Sequence, residues 1–259
     1  MPTVKTDTHI RRGSNYWFSP KHDPHRFFWF PRRVVTDGHW RDWPSNACAV
    51  LPALLSFADN QTGKCWPSID TLARVCGIDR KTATDGIDFL SRCDPYRVKR
   101  AKKAKPNGQW KYYFTLPVLT TDTQGMRFPF RQSVIVGGNW SQTNQSGKRL
   151  YCVMRAFTEA EGTQNYDEGE YDEDEGGIIT PFGLDADTFA RRRFEICDAE
   201  RGLLMNFSGL KSAATFSDAV RSLGRCALLD VLNEADGFKV NLTPRGNFAR
   251  SLNQKFHPI

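Results

Sequence analysis

Residues 32–59, RRVVTDGHWRDWPSNACAVLPALLSFAD, and residues 131–159, RQSVIVGGNWSQTNQSGKRLYCVMRAFTE, decide the fold when laid over one another. At an offset of 100 residues, Gly38 and Trp40 fall on Gly138 and Trp140, and Val34 and Val35 on Val134 and Ile135. Val50, Ala53, Leu54 and Phe57 fall on Leu150, Val153, Met154 and Phe157. Those four recur at i, i+3, i+4 and i+7, the spacing of one apolar helix face. Gly-x-Trp followed by the same helix face, twice in one chain, marks an internal duplication.

After the first copy of this helix, Ser68 is an N-cap for IDTLARVC. Gly77 breaks that helix, and Asp79 caps RKTATDGIDFLSRC, whose apolar face is Ala83, Ile87 and Leu90 with Gly86 beside them. Two short helices joined by a tight turn with glycine are the signature of a helix-turn-helix. YRVKRAK and QWKYYFTL around KPNG then read as a hairpin. In the second copy, Ser208 opens GLKSAAT, Phe216 and Ser217 open DAVRSLGRCALL, and DVLNEADGFKVNLT forms a hairpin turning at Asp236-Gly237. On this reading the recognition helices lie 137 or 138 residues apart, and a further helix, ADTFARRRFEICDAE, starts near Asp185.

The expected fold is therefore α+β, mainly α, with two winged helix-turn-helix domains in tandem. Residues 1–29 form an N-terminal extension, 30–120 the first domain, 121–130 a linker, 131–245 the second domain and 246–259 a tail. Phe27, Phe28, Trp29 and Phe30 read as a packed strand ahead of the first repeat.

Charge is distributed unevenly. The 259 residues carry a formal +7, yet nine acids and no Lys or Arg lie between Glu159 and Glu175. Setting those nine aside leaves +16 on the other 242 residues. The stretch 159–177 reads as a solvated acidic loop. Between Tyr96 and Lys111 stand seven basic residues and no acid: Arg97, Lys99, Arg100, Lys102, Lys103, Lys105 and Lys111. Such a strip neutralises phosphates and releases counterions, and Asn107 and Gly108 at its tip allow close approach to a groove.

The first recognition helix presents Arg80, Lys81, Thr82, Thr84 and Asp85 from its N-terminal half, the part that enters a major groove. Arg80 suits a guanine edge, Thr84 a phosphate or thymine methyl, and Asp85 a cytosine amino group or the orientation of Arg80 or Lys81. The second helix offers Arg221, Ser222 and Arg225, but also Asp218, and its hairpin NEADG is acidic at the tip. That leaves two readings open for the second domain, DNA contact through its helix or protein contact. Arg191, Arg192 and Arg193 add a basic cluster before it.

The stretch FPRRVVTDGHW (30–40), with AVLPALLSFADNQTGKCWPSIDTLARVCGIDRKTATDGIDFL (49–90), resembles the helix-turn-helix domains of plasmid and phage replication proteins. The resemblance is carried by Gly-x-Trp, Trp66-Pro67-Ser68, Leu72-Ala73, Gly77 and Arg80-Lys81-Thr82, and covers residues 30–116. The tandem layout is similar to that of theta-type plasmid replication initiators. The resemblance implies binding to repeated origin sites, recruitment of host replication proteins and repression of the chain's own promoter. The acidic insertion and the acids Asp85 and Asp88 depart from the pattern.

Other classes leave no trace. The longest apolar run, Ala47–Leu55, is too short for a bilayer, and the polar N-terminus has no secretory h-region. Seven cysteines without a CxxC pair read as reduced thiols. His22 and His25 lack a third nearby ligand. No Walker A loop, Rossmann glycine pattern or HxH pair with a nearby tyrosine occurs. The expectation is a cytoplasmic, non-enzymatic protein without cofactor, metal or membrane contact. Its expected partners are double-stranded DNA at origin or promoter repeats, host replication proteins and a second copy of itself in a homodimer. The alternatives are a transcriptional repressor, a partition adaptor, or an assembly module acting through the second domain and acidic loop.

Overall fold

Gly38 and Gly138 adopt φ of +83° and +89°, which only glycine takes without strain. In a computed structural model, which describes residues 27–59, 62–94, 96–104, 110–116, 127–158, 194–197, 199–231 and 238–241, these two glycines turn the chain between two short helices in each half. Each one lets a short helix follow another at once: α1 (Arg33–Thr36) and α2 (His39–Asp42) in the N-terminal half. The C-terminal half has α6 (Gln132–Val136) and α7 (Asn139–Gln142). The reversal aims Trp40 and Trp140 inward, where both are fully buried.

Around these turns the N-terminal half runs β1 (Phe27–Pro31), α1, α2, α3 (Ser45–Phe57), β2 (Lys64–Cys65), α4 (Ile69–Cys76), α5 (Arg80–Leu90), β3 (Lys99–Ala104) and β4 (Trp110–Thr115). The C-terminal half runs β5 (Arg127–Arg131), α6, α7, α8 (Gln145–Phe157), β6 (Phe194–Cys197), α9 (Arg201–Ser208), α10 (Ala213–Arg225), β7 (Leu229–Val231) and β8 (Phe238–Asn241). The small sheets have the same topology, β2-β4-β3 and β6-β8-β7, all antiparallel. Among the described residues the second half repeats the first element for element.

The halves are joined as an isologous pair, in which residue i touches j and the equivalent of j touches the equivalent of i. Strands β1 and β5 pair antiparallel with Trp29 opposite Pro129, its own counterpart, so Phe27 faces Arg131 and Pro31 faces Arg127. Trp40 Nε1 donates to the carbonyl of Arg149 at 3.1 Å, and Trp140 Nε1 donates to that of Ala49 at 3.0 Å. A Cβ on Gly77 would lie 1.9 Å from the carbonyl oxygen of Ser141, and one on Gly209 would lie 2.7 Å from that of Arg41. A local twofold axis thus runs between Trp29 and Pro129 and relates the two halves. The buried apolar side chains of both form one continuous core; Phe28 stacks on Phe130 with centroids 4.9 Å apart, and Phe30 meets Phe128 at 5.1 Å.

Several expectations change. The aromatic run is a strand, as read, but it and residues 127–131 form the bridge between halves. The N-terminal extension therefore ends before Phe27, and residues 127–130 belong to β5 and not to a linker. The segment expected to be helical from Asp185 reaches the described residues at Phe194–Cys197, which form strand β6. The acidic stretch 159–177, Arg191–Arg193, His22, His25 and the tail 246–259 lie outside the described residues.

Candidate nucleic-acid interface

The N-terminal helix-turn-helix is built by its caps. Ser68 Oγ accepts from the amide of Thr71 at 3.0 Å and starts α4; Gly77, at φ +62°, ends it. Asp79 Oδ1 accepts from the amide of Thr82 at 2.8 Å, and Thr82 Oγ1 donates to Asp79 Oδ2 at 2.5 Å. These bonds from Thr82 hold the Asp79 carboxyl below its ordinary range. Ala83, Ile87 and Leu90 of α5 are buried. Gly86 lets α5 sit against the backbone of α3: a Cβ there would lie 2.9 Å from the Asn46 carbonyl oxygen.

What remains outward on α5 is Arg80, Lys81, Asp85 and Asp88, with Thr84 half-buried between them. Arg80 Nη1 lies 3.3 Å from Asp70 Oδ1 with both side chains about two-thirds exposed. An ion pair this exposed is worth little, so Arg80 is available to a ligand. Thr84 Oγ1 donates to the Arg80 carbonyl at 2.9 Å. Both threonine hydroxyls thus spend their donor inside the helix and offer a base only acceptor capacity.

The basic hairpin follows directly. Arg97, Lys99 and Arg100 are exposed. Arg97 pairs loosely with Asp94 at 3.6 Å, and Arg100 with Asp88 at 3.8 Å. In the ladder, position 102 pairs with Tyr112 and Lys103 with Lys111. Lys105 and Asn107 lie outside the described residues.

The equivalent surface of the C-terminal half differs from the sequence reading. Ser208 closes a helix and does not open one: its Oγ donates to the Leu204 carbonyl at 2.6 Å, and Gly209 follows at φ +68°. The second helix begins at Ala213, where Ser212 Oγ accepts from the amide of Thr215 at 3.1 Å. Phe216, expected at the helix start, is core. The N-caps Asp79 and Ser212 stand 133 residues apart, not 137 or 138. The turn from Gly209 to Ser212 is one residue longer than that from Gly77 to Asp79, and this inserted residue shifts the register that sequence comparison has to find. Ser222 is buried, and its Oγ accepts from the amide of Asn144 at 2.9 Å, tying α10 to the start of α8. It is therefore a packing residue and not a DNA contact. Arg221 is exposed and pairs with Asp218 at 2.7 Å. Arg225 is exposed at the C-terminal end of α10, away from the half that enters a groove.

The sequence reading missed the buried cations of α8. Arg149 donates to the carbonyls of Trp40, Arg41 and Trp43 at 2.9, 2.6 and 2.8 Å and to that of Ser208 at 2.7 Å. It thereby satisfies the carbonyl ends of α2 and α9 together, where cations are favoured. Lys148 Nζ donates to the Thr143 carbonyl at 2.6 Å at the end of α7. Their counterparts in α3 are Cys48 and Ala49.

Residues 44–93 match a protein-family model described as a helix-turn-helix domain. No curated protein and no solved structure is a match to the chain. DNA is the partner that such a domain implies. No helix among the described residues is long and apolar enough to cross a membrane.

Proposed function

We propose that this chain is a non-enzymatic, sequence-specific double-stranded DNA-binding protein whose two halves are both winged helix-turn-helix domains seated on one duplex. We further propose that it initiates replication of a plasmid or mobile element by binding repeated origin sites. One observation carries the DNA reading: the helix-turn-helix at 44–93 leaves Arg80 and Lys81 exposed at the start of its second helix, beside the exposed Arg97, Lys99 and Arg100 of the adjoining hairpin. The hairpin supplies sequence-independent phosphate affinity and α5 supplies base contacts. The isologous packing supports a shared grip, since helix-turn-helix pairs address two half-sites related as the protein's halves are. Replication initiation rests on the resemblance of residues 30–116 to the domains of replication proteins.

Footprinting on the DNA that flanks the gene, over a series of salt concentrations, tests the reading. Protection of tandem repeated sites, weakening steeply with salt, is the expected result. Protection of a single promoter palindrome would reassign the protein as a repressor, and no protection even at low salt would overturn the DNA reading.

A further inference from the structure

Superposing the two recognition helices through their N-caps fixes an equivalence that the sequence offset hides. Asp79 corresponds to Ser212, and Thr82 to Thr215, whose hydroxyl lies 2.8 Å from Ser212 Oγ just as that of Thr82 lies against Asp79. Three buried positions agree, Ala83 with Phe216, Gly86 with Ala219 and Leu90 with Leu223, and the buried Ile87 falls on the half-buried Val220. The close contact to the long helix is kept with its glycine on the opposite side. Gly86 approaches the α3 backbone beside Ala47, whereas Gly147, the counterpart of Ala47, approaches the carbonyl of Ala219.

With that register, the outward faces align as Arg80 with Ala213, Lys81 with Ala214, Thr84 with Ser217, Asp85 with Asp218 and Asp88 with Arg221. The cations differ, but the hydroxyl-carboxylate pair is the same on both helices. Nothing in the fold accounts for that carboxylate. It does not cap, since Asp79 and Ser212 do, and both Asp85 and Asp218 are exposed. Asp85 takes part in no ion pair among the described residues, and its neighbour one turn on is another acid, Asp88. Among the described residues Asp218 meets only the exposed Arg221, a pair of little worth. On a helix that faces phosphates, such a carboxylate weakens non-specific affinity.

We infer that Asp85 and Asp218 are the shared specificity element of the two helices, each accepting a hydrogen bond from the 4-amino group of a cytosine in the major groove; this rests on the DNA-binding reading above. An ionised carboxylate only accepts hydrogen bonds. In the major groove the cytosine amino group has an acceptor, guanine O6, on one side only, whereas the adenine amino group stands between N7 and thymine O4, both of which repel a carboxylate. The flanking residues separate the half-sites. Arg80 and Lys81 favour guanine or phosphate next to the first cytosine, and Ala213 and Ala214 favour a thymine methyl next to the second. Because the local twofold reverses one helix relative to the other, the cytosines lie on opposite strands of an imperfect inverted repeat.

Selection from randomised duplex DNA with sequencing, using the full chain, tests this. The wild type is expected to enrich two half-sites of opposite polarity, each with cytosine at the corresponding position. Asp85→Ala should lower the preference for one cytosine about tenfold or more, Asp218→Ala the other, and Asp85→Asn should turn the first preference toward adenine, which asparagine reads. If the wild type enriches a site and the variants enrich it with the same base preferences, the inference is overturned and the DNA reading stands. If the wild type enriches nothing, both fall.

Discussion

In the N-terminal half the cations face outward: Arg80 and Lys81 open α5, and Arg97, Lys99 and Arg100 line the start of the hairpin, all exposed. In the C-terminal half Arg131, Lys148, Arg149 and Arg155 are all buried, at positions that the first half fills with Pro31, Cys48, Ala49 and Leu55. Arg155 donates to the carbonyl of Pro129 in the bridging strand and lies over the Phe128 ring at 5.5 Å. The same skeleton thus carries these cations on the surface in the first half and in the core in the second, where Arg149 bonds across to the other half. Net charge does not distinguish these uses. Three of the cations counted toward the basic body, Lys148, Arg149 and Arg155, serve backbone carbonyls or aromatic faces inside it.

The strongest way to break this comparison is Arg149→Ala. Four carbonyls from both halves lose their donor at once in a buried site, and the expected cost is about 3–5 kcal/mol by urea unfolding. A loss below about 1 kcal/mol would mean that Arg149 does not hold the halves together. Next come the two turn glycines. Both have positive φ and abut the opposite half, so alanine adds backbone strain and a clash. Gly77→Ala, with its Cβ nearer the opposing backbone, should cost about 3 kcal/mol and Gly209→Ala about 2. Changes near zero at both sites would show that the halves can separate without penalty.

An effect no larger than that at Gly209, and of opposite sign, is expected at Lys148. Burial lowers its ammonium to about 8 from an ordinary 10.5. Below pH 8 the folded protein carries a charge that its surroundings disfavour. Between the two values the unfolded chain keeps a proton that the folded one has released, so this group's contribution to stability improves as pH rises. Lys148→Met should stabilise the protein at pH 7 by about 2 kcal/mol, the relief of desolvation less the bond to Thr143. That advantage should shrink toward pH 10.5. Burial pushes the thiol of Cys48 up to about 12 and gives the opposite trend in alkali, but it acts on both proteins and cancels in their difference. An advantage independent of pH would place the charge on Lys148 outside the cause.

Local signals were read correctly where a residue's neighbours in sequence are also its neighbours in space. Ser68, Gly77 and Asp79 mark the helix ends they cap, and the apolar spacing of Val50, Ala53, Leu54 and Phe57 marks α3. Gly-x-Trp was found as a repeat, but its purpose was not legible, because each tryptophan bonds a carbonyl about 90 to 110 residues away. Ser208 misled because serine beside glycine can open a helix or close one; its bond back to Leu204 closes α9. A helix starting at Phe216 would turn Ser222 outward; starting at Ala213, α10 turns it inward. Lys148 and Arg149 have the composition of a solvated face, and nothing local says that helix ends from both halves converge on them.

By itself the sequence determined that the chain is duplicated, that a helix-turn-helix lies in its first copy and that a basic hairpin follows, because periodicity, caps and charge runs are local properties. Only the tertiary structure decided how the copies meet. The self-complementary register of Phe27–Pro31 on Arg127–Arg131, the reciprocal tryptophan bonds and the turn glycines pressed on the opposite half are contacts between distant residues. They convert two tandem units into one core with a local twofold axis, and they decide which side chains remain outside to meet a partner.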